Sequence, residues 1–261
     1  MKKMLDLVVT ENSQLNQNYC LIKLTTTDDT LLPDMYPGQF VEVRVDGSPT
    51  TYLRSPISVN FVDKNKNELW LLVQAIGDGT KMMCKYTKGD IVNLLLPLGN
   101  TFTTPQTKNE DQELLLIGGG VGTAPMLFLG ASLKKQGFSP KFLLGARSKN
   151  DLLQLDDFRK YGEVFCTTED GSFGEKGYVT DHTVLKNTRF SAIYTCGPKP
   201  MMVAVAKYAH HNKIKCEASL ENMMACGFGV CLCCVEKTHE GNVCVCTEGP
   251  VFNIDKLTWI N

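Results

Sequence analysis

The 261 residues carry no charge excess: 27 lysines and arginines stand against 28 aspartates and glutamates, a net charge of −1. No basic field is available to draw in nucleic acid or anionic lipid, so neither is an expected partner. Long apolar runs are missing too. Nothing approaches the roughly 20 apolar residues that span a bilayer. The opening MKKMLDLVV is interrupted by Asp6 and Glu11 before the core of a signal peptide can form. These absences predict a soluble, cytoplasmic protein. Histidine is scarce, with four residues, and His239 alone lies near the C-terminal cysteines, where a Rieske centre would need two. No internal repeat or low-complexity tract is present, and no paired acid and base mark a separate substrate site. No catalytic side chain is therefore expected.

What is present is cysteine, 11 residues in all. An odd number without an export signal argues against a disulfide framework. Cys20, Cys84, Cys166, Cys196 and Cys216 are scattered among apolar neighbours and read as small buried hydrophobes. The other six fall in MACGFGVCLCCVEKTHEGNVCVCTEGPVF, residues 224–252. There Cys226, Cys231 and Cys234 have the spacing C-x4-C-x2-C, followed by further cysteines, which is the plant-type [2Fe–2S] pattern. Gly227 and Gly229 let such a loop turn so that backbone N–H groups face sulfur. The fourth thiolate is open between Cys244 and Cys246, because alternation with Val243 and Val245 puts both on one strand face. Four thiolates also suit zinc, but structural zinc favours paired C-x2-C knuckles and only one such pair occurs.

Up to about residue 100 the chain reads as short strands closed by Gly and Pro, the mark of an antiparallel barrel. In PGQFVEVRV, Val41, Val43 and Val45 alternate with Glu42 and Arg44. A polar stretch, residues 101–112, reads as a linker. Beyond it, buried strands (ELLLIGG, PKFLLGA, GEVFCTT, FSAIYTCG, IKCEASL) alternate with helical stretches (APMLFLGASLKKQ, NDLLQLDDFRK, KPMMVAVAKYAHHN). That rhythm predicts a parallel sheet with helices on both faces.

LLLIGGGVGTAPM is a strand running into a glycine turn and a helix, where Gly118, Gly119, Gly120, Gly122 and Thr123 are expected at a pyrophosphate. It departs from G-x-G-x-x-G, since the third slot counted from Gly118 is Thr123. A second turn, Cys196, Gly197 and Pro198, follows a later strand at the edge where α/β sheets bind ligands. Glu169 and Asp170, after the third strand, favour NADH by repelling a 2′-phosphate, with Arg147 as the opposing feature. Hydride carries two electrons and a [2Fe–2S] cluster accepts one, so a flavin is expected between them. Arg54, Ser55 and Ser58 of YLRSPISV, and Gly79 and Thr80 of AIGDGTKMM, are the candidate flavin contacts.

LRSPIS, GDGT, LPLGN, LLIGGGVGTAPM, EDGSFGEKGYVTD, CGPKPMM and SLENMMACGFGVCLCCV…VCTEGPVF occur in one order over nearly the whole chain. In these the sequence resembles the iron–sulfur flavoprotein electron-transfer subunits of NAD-linked dihydroorotate dehydrogenases, within the ferredoxin reductase superfamily. The resemblance implies an FAD-binding β-barrel (1–102), a parallel-sheet NAD-binding α/β domain (113–220) and a C-terminal [2Fe–2S] segment (221–261). It places flavin contacts at Ser55, Pro56, Ile57, Ser58, Gly79 and Thr80, with Leu72, Val73 and Gln74 on an adjoining strand. It makes Cys226, Cys231, Cys234 and Cys246 the cluster ligands. The family's usual arginine slot, three residues before Ser58, holds Ser55 here, with Arg54 one residue earlier. The implied partner is an FMN-containing catalytic subunit that oxidises dihydroorotate, in a heterotetramer of two subunits of each kind. Two rivals share parts of the pattern: a reductase subunit serving ferredoxin, hydrogenase or sulfite reductase, and a non-enzymatic zinc-stabilised nucleotide-binding module.

Overall fold

A computed structural model describes residues 2–28, 30–106 and 112–260. Residues 107–111 of the expected linker lie outside the described residues. The chain divides into two compact units. One comprises Met1–Thr101, Asn222–Glu236 and Cys244–Pro250; the other comprises Phe102–Glu221, Lys237–Val243 and Val251–Asn261.

The first unit is built on β1 (Lys3–Asn16), β2 (Tyr19–Thr26), β3 (Phe40–Val43), β4 (Ser55–Asp63), β5 (Glu68–Gln74) and β6 (Ile91–Leu98), with α1 (Asp78–Met83) between the last two strands. They close into an antiparallel barrel in the order β1-β2-β5-β4-β3-β6. Alternation places Val41 and Val43 on one face of β3, and both are fully buried with Val59, Leu71 and Leu94. Each such aliphatic side chain contributes roughly 1.5–3 kcal/mol when removed from water.

The second unit begins with β7 (Leu114–Gly119), α2 (Ala124–Lys135), β8 (Lys141–Ala146), α3 (Leu155–Arg159), β9 (Glu163–Thr168) and β10 (Glu175–Lys176). It continues with α4 (Val184–Asn187), β11 (Ala192–Cys196), α5 (Lys199–His211) and β12 (Lys215–Ser219). The hairpin strands β13 (Val235–Thr238) and β14 (Gly241–Cys244) and the last strand, β15 (Val251–Asn253), follow, and the short α6 (Val245–Glu248) between β14 and β15 belongs to the first unit. The 7-stranded sheet has the order β10-β9-β8-β7-β11-β12-β15. Its neighbours are parallel except β15, which runs antiparallel to β12. After β9 and β10 the chain returns to the opposite side of β7 to lay down β11. The sheet therefore has its switch point between β7 and β11, where α/β folds open a crevice. The expected helix over 150–160 is shorter than its pattern. Gln154 takes a left-handed φ of 54° and separates α3 from a single turn at Lys149–Asp151.

Cys166, Cys196 and Cys216 are buried as expected. Cys20 and Cys84 are not simple hydrophobes: they are joined in a disulfide with Cα atoms 5.6 Å apart. The partners are 64 residues apart in sequence, so no local pattern reveals the pairing. Closing a loop of that size stabilises the folded chain by roughly 4 kcal/mol on chain-entropy grounds. No helix among the described residues is long and apolar enough to cross a membrane.

His182 is buried against Phe165, ring centroids 5.4 Å apart, and its Nδ1 accepts the Val184 N–H at 3.0 Å. Nε2 lies 3.4 Å from Glu175 Oε1. Burial holds the imidazole below its ordinary range, against the opposing pull of Glu175. The folded state thus binds the proton less readily than the unfolded chain, whose histidine titrates near 6.5. Stability is fully present above about pH 6.5 and is lost as the pH falls below it. His182→Gln is expected to flatten the fall in thermal midpoint as the pH drops below about 6.5, measured by circular dichroism.

Candidate cofactor sites

Both glycine turns of the α/β unit stand at its switch point. β7 ends at Gly119, the chain turns through Gly120–Thr123, and α2 starts at Ala124 with Pro125 in its first turn. β11 ends at Cys196, and Gly197 and Pro198 lead into α5. The turns pack backbone on backbone: a Cβ on Gly122 would lie 2.4 Å from Gly197 Cα and 2.6 Å from the Cys196 carbonyl carbon. One on Gly119 would meet Met201 Sδ at 2.5 Å, and one on Gly118 would meet Thr123 Cα at 2.9 Å. The sequence separates these two turns by more than seventy positions; the parallel register of β7 and β11, Gly118 opposite Cys196, brings them together. Cys196 is fully buried, and its thiol donates to Glu221 Oε1 at 3.7 Å. Burial pushes that thiol well up. Glu169 and Asp170 are exposed beyond the end of β9, their amides bonded to the Ala146 and Arg147 carbonyls. The Ser172 hydroxyl and amide hold the Asp170 carboxyl below its ordinary range.

In the barrel unit, Ser55, Pro56, Ile57 and Ser58 form the half-buried start of β4. Gly79 is brought to them: a Cβ there would lie 3.4 Å from Ser55 Oγ and 3.0 Å from Thr51 Cγ2. The Thr80 hydroxyl is engaged within its own turn, accepting the Ile76 and Gly77 amides at 3.1 Å each. Leu72 and Val73 are buried and Gln74 half-buried at the end of β5. Arg54 is held by the barrel backbone. Its guanidinium donates to the Glu42 and Asn93 carbonyls at 3.3 and 3.1 Å and to Asn93 Oδ1 at 2.5 Å. Tyr52, Leu53 and Ile76, which flank these segments in sequence, are exposed.

The cysteine loop belongs to the same compact unit as the barrel. Burial pushes the Cys226 thiol up, but the Phe228, Cys231 and Val230 amides and the Cys231 thiol outweigh it, bringing it down to about 6. The Gly229 amide donates to Cys246 Sγ at 3.1 Å, and the Cys246 amide to Cys234 Sγ at 3.4 Å. Burial and the neighbouring Cys234 thiol push Cys246 up to about 12. Cys234 and Cys246 are buried, Cys226 and Cys244 half-buried, Cys231 and Cys233 exposed. The expected shared strand face of Cys244 and Cys246 is not formed. β14 stops at Cys244, and Cys246 lies in the helical turn α6. Among the described residues, no three His, Cys, Asp or Glu side chains are gathered into a closed metal-ligand group. The thiols stand instead as neighbours, Cys226 with Cys231 and Cys234 with Cys246. A donor set of thiols with amides aimed at sulfur fits an iron–sulfur cluster.

Gly227 (φ 73°) seats this loop on the barrel: a Cβ there would lie 2.9 Å from both Glu42 Cγ and Leu98 Cδ1. Glu42 is fully buried, and neither carboxylate oxygen has a hydrogen-bond partner among the described residues. Burial, with Cys226 adding and Arg54 opposing, pushes its carboxyl up to about 8. Alternation in FVEV shows that Glu42 opposes Val41 and Val43, but not that a distant loop covers that face.

The comparisons with known proteins agree with this geometry. A solved NADH-dependent reduced ferredoxin–NADP oxidoreductase superposes with a TM-score of 0.84 at 25% identity, covering 97% of this chain and 90% of the other. The fold is that of the flavin- and nicotinamide-dependent reductases. Residues 116–207 match the oxidoreductase NAD-binding domain, and residues 221–258 match the iron–sulfur cluster binding domain of dihydroorotate dehydrogenase B. The electron transfer subunit of dihydroorotate dehydrogenase B (NAD(+)) from Fusobacterium nucleatum is 35% identical over 258 residues, 96% of each chain. That from Listeria monocytogenes is 40% identical over 229 residues, 85% of this chain and 87% of its own. The chain belongs to the family of dihydroorotate dehydrogenase B electron transfer subunits.

The contact at the switch point sets a clear expectation. Gly122→Ala forces backbone atoms of Gly197 and Cys196 to move and is expected to cost about 1–3 kcal/mol in urea unfolding. Gly77→Ala, with open space around the new methyl group, should stay within about 0.5 kcal/mol of the parent.

Proposed function

We propose that this chain is the electron-transfer subunit of an NAD-linked dihydroorotate dehydrogenase. It carries the electrons of dihydroorotate oxidation, performed at the FMN of a partner catalytic subunit, to NAD+ in the synthesis of UMP. Family membership over almost the full chain supports this reading, as do the two matched domains. The observation that carries it is the cysteine loop, where backbone amides already face three of the four thiols at family spacing.

We assign the cluster to Cys226, Cys231, Cys234 and Cys246, the FAD to the barrel segments around Ser55–Ser58, Leu72–Gln74 and Gly79–Thr80, and the nicotinamide nucleotide to the turns at Gly118–Thr123 and Cys196–Pro198. When bound, FAD and [2Fe–2S] supply a carrier of electron pairs and a carrier of single electrons, which join the partner's FMN to NAD+. The protein's own contribution is to bind, orient and keep dry. Cys234 and Cys246 are withdrawn from solvent, while the loop amides stabilise negative charge on sulfur. Gly79 and the open β4 start let a diphosphate approach the backbone. Arg54 braces β3 against β6 through the Glu42 and Asn93 carbonyls, and so supports the flavin strand from behind. Glu169 and Asp170 oppose a 2′-phosphate, in line with NADH. Met223, Phe228, Val230 and Leu232 are exposed on the cysteine loop, an apolar surface suited to docking the catalytic subunit, two copies of each in the assembly. The place of action is the cytoplasm.

Cys231→Ser tests the reading. Transfer from dihydroorotate to NAD+ in the assembled complex should fall by more than about 100-fold. NADH-driven reduction of an artificial two-electron acceptor should be largely retained. Loss of both activities in a folded protein that keeps its FAD contradicts this order of carriers.

A further inference from the structure

We propose that Cys20 and Cys84 are a reversible thiol–disulfide site, opened and closed by small thiols and disulfides, that clamps the turn carrying Gly79 and Thr80. The pairing itself is independent of the function proposed above; its consequence for flavin rests on that reading. Cys20 is fully buried on β2, directly opposite Val73 of β5. Cys84 is half-buried and immediately follows α1, where its amide donates to the Thr80 carbonyl at 3.1 Å. The two Cα atoms are 5.6 Å apart, within the range a disulfide requires. The chain around Cys84 is fixed by contacts other than the S–S bond. The Asn12 side-chain amide donates to the Met83, Cys84 and Tyr86 carbonyls at 3.4, 3.3 and 2.8 Å. The backbone on the Cys84 side is therefore anchored near β2 by contacts that do not depend on the S–S bond, which favours passage between the two states. The other nine cysteines take part in no disulfide.

The exchange uses a low-molecular-weight disulfide as oxidant. The Cys84 thiolate, on the more accessible side, attacks one sulfur of the small disulfide. That S–S bond breaks, a small thiol leaves, and a mixed disulfide remains on Cys84. Cys20 attacks the Cys84 sulfur and expels the second small thiol, which leaves with the proton of Cys20. Two protein thiols are oxidised by two electrons, and one small disulfide is reduced to two thiols. The reverse exchange with excess small thiol restores both cysteines. In the bonded state the end of α1 is tied to β2, beside the β5 residues Leu72–Gln74, so the diphosphate turn and the adjoining flavin strand are held as one piece. In the open state the short helix is held by its hydrogen bonds and by the burial of Met83, without the covalent tie.

The test uses the full chain with its cofactors, equilibrated without oxygen in glutathione buffers from fully reduced to fully oxidised. Samples are acid-quenched, alkylated and mapped by peptide mass, and release of FAD after dilution is followed by flavin fluorescence. The expected result is joint loss of alkylation at Cys20 and Cys84, with a linked peptide that disappears in reduced glutathione. FAD release from the linked form should be slower by about threefold or more. Cys84→Ser should release FAD at the reduced-form rate in every buffer. Thiols that stay free in oxidised glutathione, a bond that survives fully reduced glutathione, or equal FAD release from both forms would each overturn the proposal. A chain that opens and closes the pair but takes up no FAD, seen by its visible absorbance, contradicts the flavin reading and with it the clamp.

Discussion

A sulfur atom inside protein is a poor place for negative charge unless amide N–H groups point at it, and the cysteine loop is shaped by that requirement. Phe228, Val230 and Cys231 turn their amides toward Cys226, and Gly229 turns its amide toward Cys246. Such a run of inward amides demands sharp reversals of the chain, supplied by left-handed backbone at Gly227, Gly229 and Leu232. A loop whose amides are turned inward to sulfur needs a floor. The barrel supplies one, where Gly227 comes down on Glu42 and Leu98 and the Asn100 amide donates to the Gly249 carbonyl at 2.7 Å. The thiols and the strand start at Ser55–Ser58 are thereby parts of one compact unit.

The α/β unit meets its own requirement by a related device. Its two turns approach until backbone touches backbone at Gly122 and Gly197, which no side chain at position 122 would permit. Each unit thus places glycine where a binding surface must be built from main chain, because N–H groups and helix termini recognise phosphate and sulfur without titrating. The buried carboxyl of Glu42 is the exception. It lies between the loop and the barrel with no hydrogen-bond partner among the described residues, and burial pushes it up to about 8.

Much of this was legible in the sequence because it is local. Strand alternation in the first hundred residues, the β/α rhythm after residue 112, and the C-x4-C-x2-C spacing each depend on near neighbours, and the first two reappear in the fold. The hidden features are non-local. The Cys20–Cys84 bond joins residues 64 apart, and the cover over Glu42 comes from a loop nearly two hundred positions away. The meeting of the two glycine turns follows only from the register of β7 with β11. Two local readings also gave way. A strand through Val243–Cys246 yields to the turn of α6, where the Gly249 amide donates to the Val245 carbonyl at 3.1 Å. The apolar pattern of 150–160 yields to the left-handed backbone at Gln154. In both, turn geometry prevailed over periodicity.

The central claim is that the four thiols hold a two-iron cluster in a protein that also carries flavin. It is tested most directly by isolating the chain without oxygen and measuring iron, acid-labile sulfide, zinc and FAD on one folded sample. The account predicts about two irons and two sulfides per chain, bound FAD, and a paramagnetic signal that appears on reduction. A folded chain holding zinc, or holding neither iron nor sulfide, would contradict it.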